Sequence, residues 1–492
     1  MPSTVASTSH RSDPFAALDA VAQAALVRDR QASPLELVDA AIARVERLDP
    51  VLHAIAAPTF ERARQQASEG RRGVFAGVPF LLKDLLPFPG LPLSCGSRLL
   101  AGHVSPAGSD YATALDEAGL IVVGTSRTSE FGLLGTTETV LAGPTRNPWD
   151  LSRSPAGSSG GAAAAVASGM VPFAHASDGG GSIRIPATVC GLFGLKPSRG
   201  RQRPDGMGDG RSPTDMLIEH CVSRSVRDSA TLLAATQRTD PAAPWAPLSA
   251  ARSPGTRRLR IGLHDRTLRG AAPDPEVAAA LVAARRVCES LGHEVIETRG
   301  PEVDTEALSR AYLQLGGLGL GQMLAPLRAQ LGAAFDDRIE PYTRELIERA
   351  TRQRVDMAAL FAVFTAAQRA AEAFQRDYDV TLCPTIPMLP FPLGTIGPTH
   401  PFAEIAAFTE LQAGYTALVS IAGQPSMSVP LHQTAGGLPV GCQFTAAAGQ
   451  DTLLLDLAYA LEEAAPWADR WPPHAWLTGG GADGADAQAR GS

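Results

Sequence analysis

Between residues 155 and 186 the chain reads Pro-Ala-Gly-Ser-Ser-Gly-Gly, then an alanine-rich run, then Ser-Asp-Gly-Gly-Gly-Ser-Ile-Arg-Ile-Pro. Two glycine-flanked serine sites therefore sit close together in one short stretch. Residues 161–168 predict a tightly packed helix that opens straight from a glycine turn. Glycines beside a serine permit unusual backbone angles and leave room for a substrate to approach. Successive N–H groups in such a loop converge on an anion and form an oxyanion hole without side chains. The run Gly179-Gly180-Gly181-Ser182 suits that role. A flexible Gly/Ser spacer is the plain alternative, but Ile183, Ile185 and Val189 follow at once, with Pro186 read as a stop. No GxxxxGK[ST] pattern is present, which argues against a phosphate cradle. Gly157-Ser158-Ser159-Gly160-Gly161 also fits the G-x-S-x-G nucleophile elbow, with Ser159 as the nucleophile. That motif needs a strand before it, whereas residues 147–155 read as a loop, so it stands as an alternative only.

Around this stretch strands and helices are mixed. Residues 34–48 form an amphipathic pattern, with Ser33 as N-cap and Pro34 at the first helical position. Apolar runs at 76–82, 120–124, 171–175, 192–196, 259–263, 294–297, 379–383, 427–430 and 438–444 predict strands, and 275–291 and 452–463 predict helices. Residues 201–216 read as a loop and 240–256 as a linker. This mixture predicts an α/β fold with a large mixed β-sheet sandwiched between helices. The expected organisation is an N-terminal helical segment (1–70), a core (71–300), a helical insertion interrupted at Pro326 and Pro341 (301–378), the C-terminal part of the core (379–478) and a disordered tail (479–492).

Composition adds one sharp clue. Of the 43 basic residues only Lys83 and Lys196 are lysines; the other 41 are arginines. Arginine stays protonated, whereas a buried lysine can act as a neutral base, so a position that must titrate resists the exchange. The net charge of -7, with arginines dispersed among acids, argues against a nucleic-acid partner. No apolar run is long enough to span a membrane. The polar first residues lack a secretory core, and six scattered cysteines without a CxxC pair read as buried free thiols. A cytoplasmic location is expected.

Several segments together resemble the amidase signature family of serine hydrolases. Besides 157–186 they are Phe75–Asp84, Gly124–Gly132, Thr145–Trp149, Cys190–Pro197, Gly423–Pro430 and Gly437–Gln443. The similarity spans about residues 20–467. The resemblance implies a Lys–cis-Ser–Ser triad: Lys83 matches the base, Ser158 the bridging serine after a cis peptide bond, and Ser182 the nucleophile. Lys196 falls in the Gly-Leu-Lys-Pro segment, whose lysine is structural. Gly179, Gly180, Gly181 and Ser182 would supply the oxyanion hole. Ser177, Gly179 and Ala156 depart from the usual Thr, Thr or Ile, and Gly without emptying the triad. Asp178 and Arg184 are expected to brace the loop as an ion pair, and His175 and His220 to be structural.

No metal or organic cofactor is implied. Within the family the chain resembles the bacterial 6-aminohexanoate cyclic-dimer hydrolase, aryl acylamidase and urethanase-like branch. The expected substrate is a small amide or carbamate. An A-type subunit of a glutamine-dependent amidotransferase is the alternative, and a homodimer stays open. Specificity is expected where the sequence is least family-like, in the loop 203–219 (Met207, Met216, Leu217, Ile218) and at Gly316 and Gly317, either as a roomy pocket or as tight helix packing, together with Glu130 and Phe131 opposite Ser182.

Overall fold

The structure, a computed structural model, describes residues 13–206, 208, 210, 212–250, 253–352 and 354–478. Its strands are β1 (Ile55–Pro58), β2 (Pro79–Lys83), β3 (Ile121–Ser126), the short pair β4 (Glu138–Thr139) and β5 (Gly143–Pro144), β6 (Phe173–Asp178), β7 (Phe193–Lys196), β8 (Ile218–Ser223), β9 (Arg260–Leu263), β10 (Glu294–Glu297), β11 (Val380–Pro384), β12 (Ser426–Gln433) and β13 (Pro439–Ala446). All but β4 and β5 join one eleven-stranded sheet in the order β1-β3-β2-β6-β8-β7-β12-β13-β11-β9-β10. It is mixed: β2 runs parallel to β3 and β6, and β9 parallel to β10 and β11. The stretch from β6 through β8, β7, β12 and β13 to β11 is antiparallel.

Alternation along β2 shows how helices cover both faces. Leu81 packs with side chains of helices Pro34–Leu52, Gly160–Ser168 and Arg184–Cys190. Phe80 and Leu82 point the other way, toward Tyr111 and Leu232 of helices Asp110–Glu117 and Val226–Thr236. Helix Gly160–Ser168 is buried at every position. Only small side chains allow a helix to lie that close to its neighbours.

Prolines explain where element boundaries differ from expectation. Helix Pro34–Leu52 starts with the Ser33/Glu36 capping box and continues past Leu48 through Pro50. Pro50 lies in the last turn, so little of the helix follows the backbone bond it forfeits. Helix Arg184–Cys190 carries Pro186 in its first turn, where N–H groups need no helical partner; Pro186 is part of an element's start, not a stop. Helix Thr305–Leu331 runs through Pro326 and ends at Gly332, and Pro341 opens helix Pro341–Thr351, followed by Met357–Gln375. The segment expected to be a helical N-terminus contributes β1, which pairs antiparallel with β3. Residues 240–250 are irregular but anchored, since Trp245 Nε1 donates to Arg199 O and Leu248 N–H to Gln237 Oε1. Ile218, expected in a loop, begins β8 opposite Asp178. The tail from 479 lies outside the described residues.

The glycines of helix Thr305–Leu331 divide into two kinds. A Cβ on Gly317 would lie 2.5 Å from the Leu346 carbonyl oxygen and 2.6 Å from the Ala350 methyl. Gly317 therefore lets this helix pack on Pro341–Thr351 and does not line a substrate site. Gly316 has nothing within 4 Å of such a Cβ. Gly317→Val is expected to lower stability by about 1–3 kcal/mol through overpacking and to leave the ranking of substrates unchanged. Gly316→Ala should not destabilise, because alanine is the better helix former by about 1 kcal/mol. Thermal denaturation of the two variants checks both.

Candidate active site

Lys83 ends β2 and Asp178 ends the parallel neighbour β6, so Lys83 and residues 177–182 meet at the C-terminal edge of adjacent strands. Open α/β sheets hold ligands at such an edge. The Lys83 side chain is 1% exposed. Its Nζ donates to Ser158 Oγ at 2.7 Å and to Ser177 Oγ at 3.0 Å. Desolvation pushes the Lys83 pKa down from 10.5 to about 7, against the upward pull of Glu219 and Asp178. The Lys83 backbone N–H donates to His175 Nδ1 at 3.2 Å, which leaves Nε2 to donate to Glu219 at 2.7 Å. His175 thus fixes the end of β2 and stays out of the chemistry. The Gly157–Ser158 peptide bond is cis. Ala156, in place of the family's usual glycine, takes a left-handed φ of 58°.

Lys196 shows why burial alone does not identify a base. Desolvation, with Arg184 adding to it, also lowers its pKa to about 7. Its Nζ, however, donates to the Pro197 carbonyl at 2.9 Å and makes no hydrogen bond to a hydroxyl among the described residues. Geometry separates the two lysines where titration does not.

The loop that carries Ser182 is organised by Asp178. Its carboxylate accepts from Arg184 Nε at 2.9 Å and Nη2 at 2.8 Å, with both side chains fully buried. Burial alone would raise the Asp178 pKa, but the Arg184 charge and hydrogen bonds outweigh it and hold it at about 2. Asp178 also accepts from the N–H groups of Gly181 at 2.7 Å and Ile183 at 3.2 Å. This corrects the expected oxyanion hole, because the Gly181 N–H is already taken. The N–H groups of Gly179, Gly180 and Ser182 have no hydrogen-bond partner among the described residues. Gly181 has φ 138°, and a Cβ there would lie 2.5 Å from Thr416 Oγ1; only glycine fits. Ser182 is half-buried and its hydroxyl is unpaired among the described residues, with no hydrogen bond to Ser158.

The elbow alternative fails. Ser159 is fully buried and its hydroxyl donates to the Ser177 carbonyl at 3.3 Å. Residues 151–159 before helix Gly160–Ser168 form no strand.

The expected substrate-binding residues separate into two groups. Leu217 Cδ1 lies 3.8 Å from where a Gly179 Cβ would be. Met216 packs in the cluster that contains Tyr312 and Leu418. Phe131 packs beside Leu320 of helix Thr305–Leu331, and its neighbour Gly132 directly faces Ser158 Oγ. Glu130, by contrast, is 1% exposed and its carboxylate is consumed by Ser97 Oγ, Thr343 Oγ1 and the Glu340 N–H. It ties the 130–132 turn to helix Pro341–Thr351 and is not a pocket residue. Met207 lies outside the described residues.

Three contacts escaped the sequence. Ser177 is the second acceptor for Lys83. Thr416 Oγ1 donates to Gly180 O at 2.5 Å. Tyr312, whose hydroxyl stands 3.4 Å from Gly179 O, flanks the loop. The one available signal for Tyr312 was its place one helical turn before Gly316, on the same face.

The mixed sheet brings the desolvated Lys83, Ser158 and the glycine loop that carries Ser182 to one edge. The sequence profile of the amidase family matches residues 36–455, and the chain belongs to that family. It is 33% identical over 482 residues to the 6-aminohexanoate-cyclic-dimer hydrolase of Pseudomonas sp. (strain NK87), covering 92% of this chain and 96% of that protein. The solved structure of a 6-aminohexanoate cyclic dimer hydrolase complexed with substrate matches with a TM-score of 0.86 at 32% identity, covering 94% of this chain and 100% of that one. A bacterial aryl acylamidase of the amidase signature enzymes matches with a TM-score of 0.82 at 28% identity, covering 92% and 97%. The chain is an amidase signature hydrolase acting on amides. Among the described residues no helix is long and apolar enough to cross a membrane.

Asp178→Ala would leave the Arg184 charge buried without its counter-charge. It should cost about 3–5 kcal/mol of stability and release the Gly181 N–H, so amide turnover should fall with it. A thermal melt and an activity assay on the purified variant check both.

Proposed function

We propose that the chain hydrolyses the amide bonds of small, largely apolar neutral substrates through Lys83, Ser158 and Ser182. The observation that carries this reading is the 2.7 Å contact between the buried Lys83 Nζ and Ser158 Oγ, beside a loop with unpaired N–H groups. A serine hydroxyl is a weak nucleophile until a base takes its proton. Neutral Lys83 accepts the Ser158 proton as Ser158 accepts that of Ser182, and Ser182 Oγ bonds to the carbonyl carbon. The N–H groups of Gly179, Gly180 and Ser182 hold the oxyanion. The proton then returns through Ser158 to the leaving nitrogen, the C–N bond breaks, and the acyl group stays on Ser182. Water, deprotonated by the same relay, attacks the ester and releases the carboxylic acid.

Leu217, Met216, Tyr312 and Phe131 around the loop carry no formal charge, which supports neutral substrates over glutamine-like ones. Anilides, cyclic amides and aryl carbamates meet the same steps, since each places a carbonyl beside nitrogen. The similar proteins named for a cyclic dimer and an aryl acylamide support that choice.

Ser182→Ala should abolish turnover with the melting temperature unchanged, and a covalent acyl adduct should map to Ser182 by mass spectrometry. Lys83→Arg should be nearly as inactive as Lys83→Ala, because a guanidinium keeps its proton. For the unmodified enzyme, the neutral fraction of Lys83 grows as pH rises. The rate should therefore climb with pH through about 7 and level off above it. Substantial activity in Lys83→Arg, or a rate that falls across that interval, would reject the relay. A panel of primary amides, anilides, cyclic amides and aryl carbamates ranks the substrates.

A further inference from the structure

Behind the nucleophile loop lies a cavity of about 270 Å³ that includes none of the triad side chains in its lining. It sits between β11, β13 and the segment that follows β9 on one side and helices Met357–Gln375 and Ala417–Ala422 on the other. The helix Ala417–Ala422 and the residues just before it work on two faces. Thr416 and Ser420 reach the loop and Arg184, whereas Leu418 and Val419 face the cavity.

The lining is built for a ligand with a polar head and an apolar body. Gln424 is 3% exposed, and no hydrogen bond engages its carboxamide among the described residues. Thr381, 6% exposed, likewise lines the cavity with an unengaged hydroxyl among those residues. The buried Nδ1 of His264 also has no partner among the described residues. Leaving such a buried group unpaired costs about 1–3 kcal/mol, and the polar groups of Gln424 and Thr381 line the same cavity, so the wall is set to pair with an occupant. Burial holds His264 neutral, its pKa lowered to about 4. Phe374 and Leu418 supply apolar wall.

Charge at the mouth is nearly balanced. Arg266 stands 3.5 Å from Asp265, and the exposed Arg299 and Glu302 are of opposite sign. A neutral ligand is therefore favoured over an ion. At about 270 Å³ the space lies just under the usual range of small-ligand pockets, roughly 300 Å³ and upward.

We infer that this cavity is a second binding site, separate from the triad, for a small neutral carboxamide or urea carrying one ring or short apolar chain. A carboxamide is the natural complement of Gln424, because each offers one N–H donor and one carbonyl acceptor to the other. The site also reaches the nucleophile loop. Gln443 lines the cavity and its Oε1 accepts from Arg184 Nη1 at 2.9 Å. Arg184 holds Asp178, and Asp178 holds the Gly181 N–H. An occupant pressing on Gln443 acts on the same buried network that shapes the oxyanion loop. The inference does not depend on which serine is the nucleophile.

Phenylurea, a neutral probe of about the right size, tests it on the whole chain. Calorimetric titration should show saturable binding that weakens at least tenfold in Gln424→Leu. Thr381→Val, which keeps the side-chain shape, should weaken it in the same direction if Gln424→Leu does not fold. In steady-state hydrolysis of a small amide, phenylurea should change kcat without a matching rise in KM, and Thr381→Val should blunt that change. Absence of saturable binding up to tens of millimolar would overturn the inference. So would binding indifferent to both substitutions, or purely competitive inhibition, each of which places the probe at the triad.

Discussion

The buried pair of Asp178 and Arg184 is the interaction on which the site's architecture rests. Arg184 reaches Asp178 at the end of β6, Gln443 on β13, and the Thr416 carbonyl and Ser420 hydroxyl at the start of helix Ala417–Ala422. Residues more than 230 positions apart are thereby fixed around four residues of loop. A fully buried ion pair contributes little net stability, because the desolvation of both charges opposes their attraction. Its value here is positional. Every lone pair that Asp178 spends on Gly181 and Ile183 fixes where the neighbouring N–H groups point.

Desolvation acts on Lys83 in a different way. Water is excluded from the end of β2 by Phe80, Leu81 and Leu82 below it and by the small-residue helix Gly160–Ser168 nearby. The ammonium form loses hydration, and the pKa falls toward neutrality. Lys196 undergoes the same fall in a setting with only a carbonyl to meet. Under the proposed relay, what distinguishes Lys83 from Lys196 is its hydroxyl neighbours. Ser158 and Ser177 arrive from two separate segments, and neither is near Lys83 in sequence.

Under the proposed function, variation around this chemistry is assigned to Phe131, residues 216–217 and helix Thr305–Leu331. The same helix serves two demands at neighbouring positions. Gly317 is small because another backbone passes over it, whereas Gly316 is small beside open space. Adjacent residues on a helix lie about 100° apart, so one can face a packed partner while the next faces the cleft. Glu130 shows the converse trap: a polar residue beside the site whose carboxylate belongs wholly to the scaffold.

The sequence by itself determined the α/β class, most strand and helix centres, and the identities of Lys83, Ser158, Ser182, Asp178 and Arg184 as the residues to watch. Those signals are local or compositional: period-two and period-3.6 patterns, glycines around serines, and two lysines in an arginine-rich chain. Tertiary structure alone decided that the Gly181 N–H is spent on Asp178, that Glu130 is a brace, that Gly317 packs a helix, and that Ser177, Thr416 and Tyr312 stand at the loop. It also decided that helices run through Pro50 and Pro326, and that β1 lies in the segment expected to be helical. The physical reason is common to all of these. A local pattern states which face of an element is apolar, but which donor meets which acceptor depends on segments that approach only after the sheet has assembled.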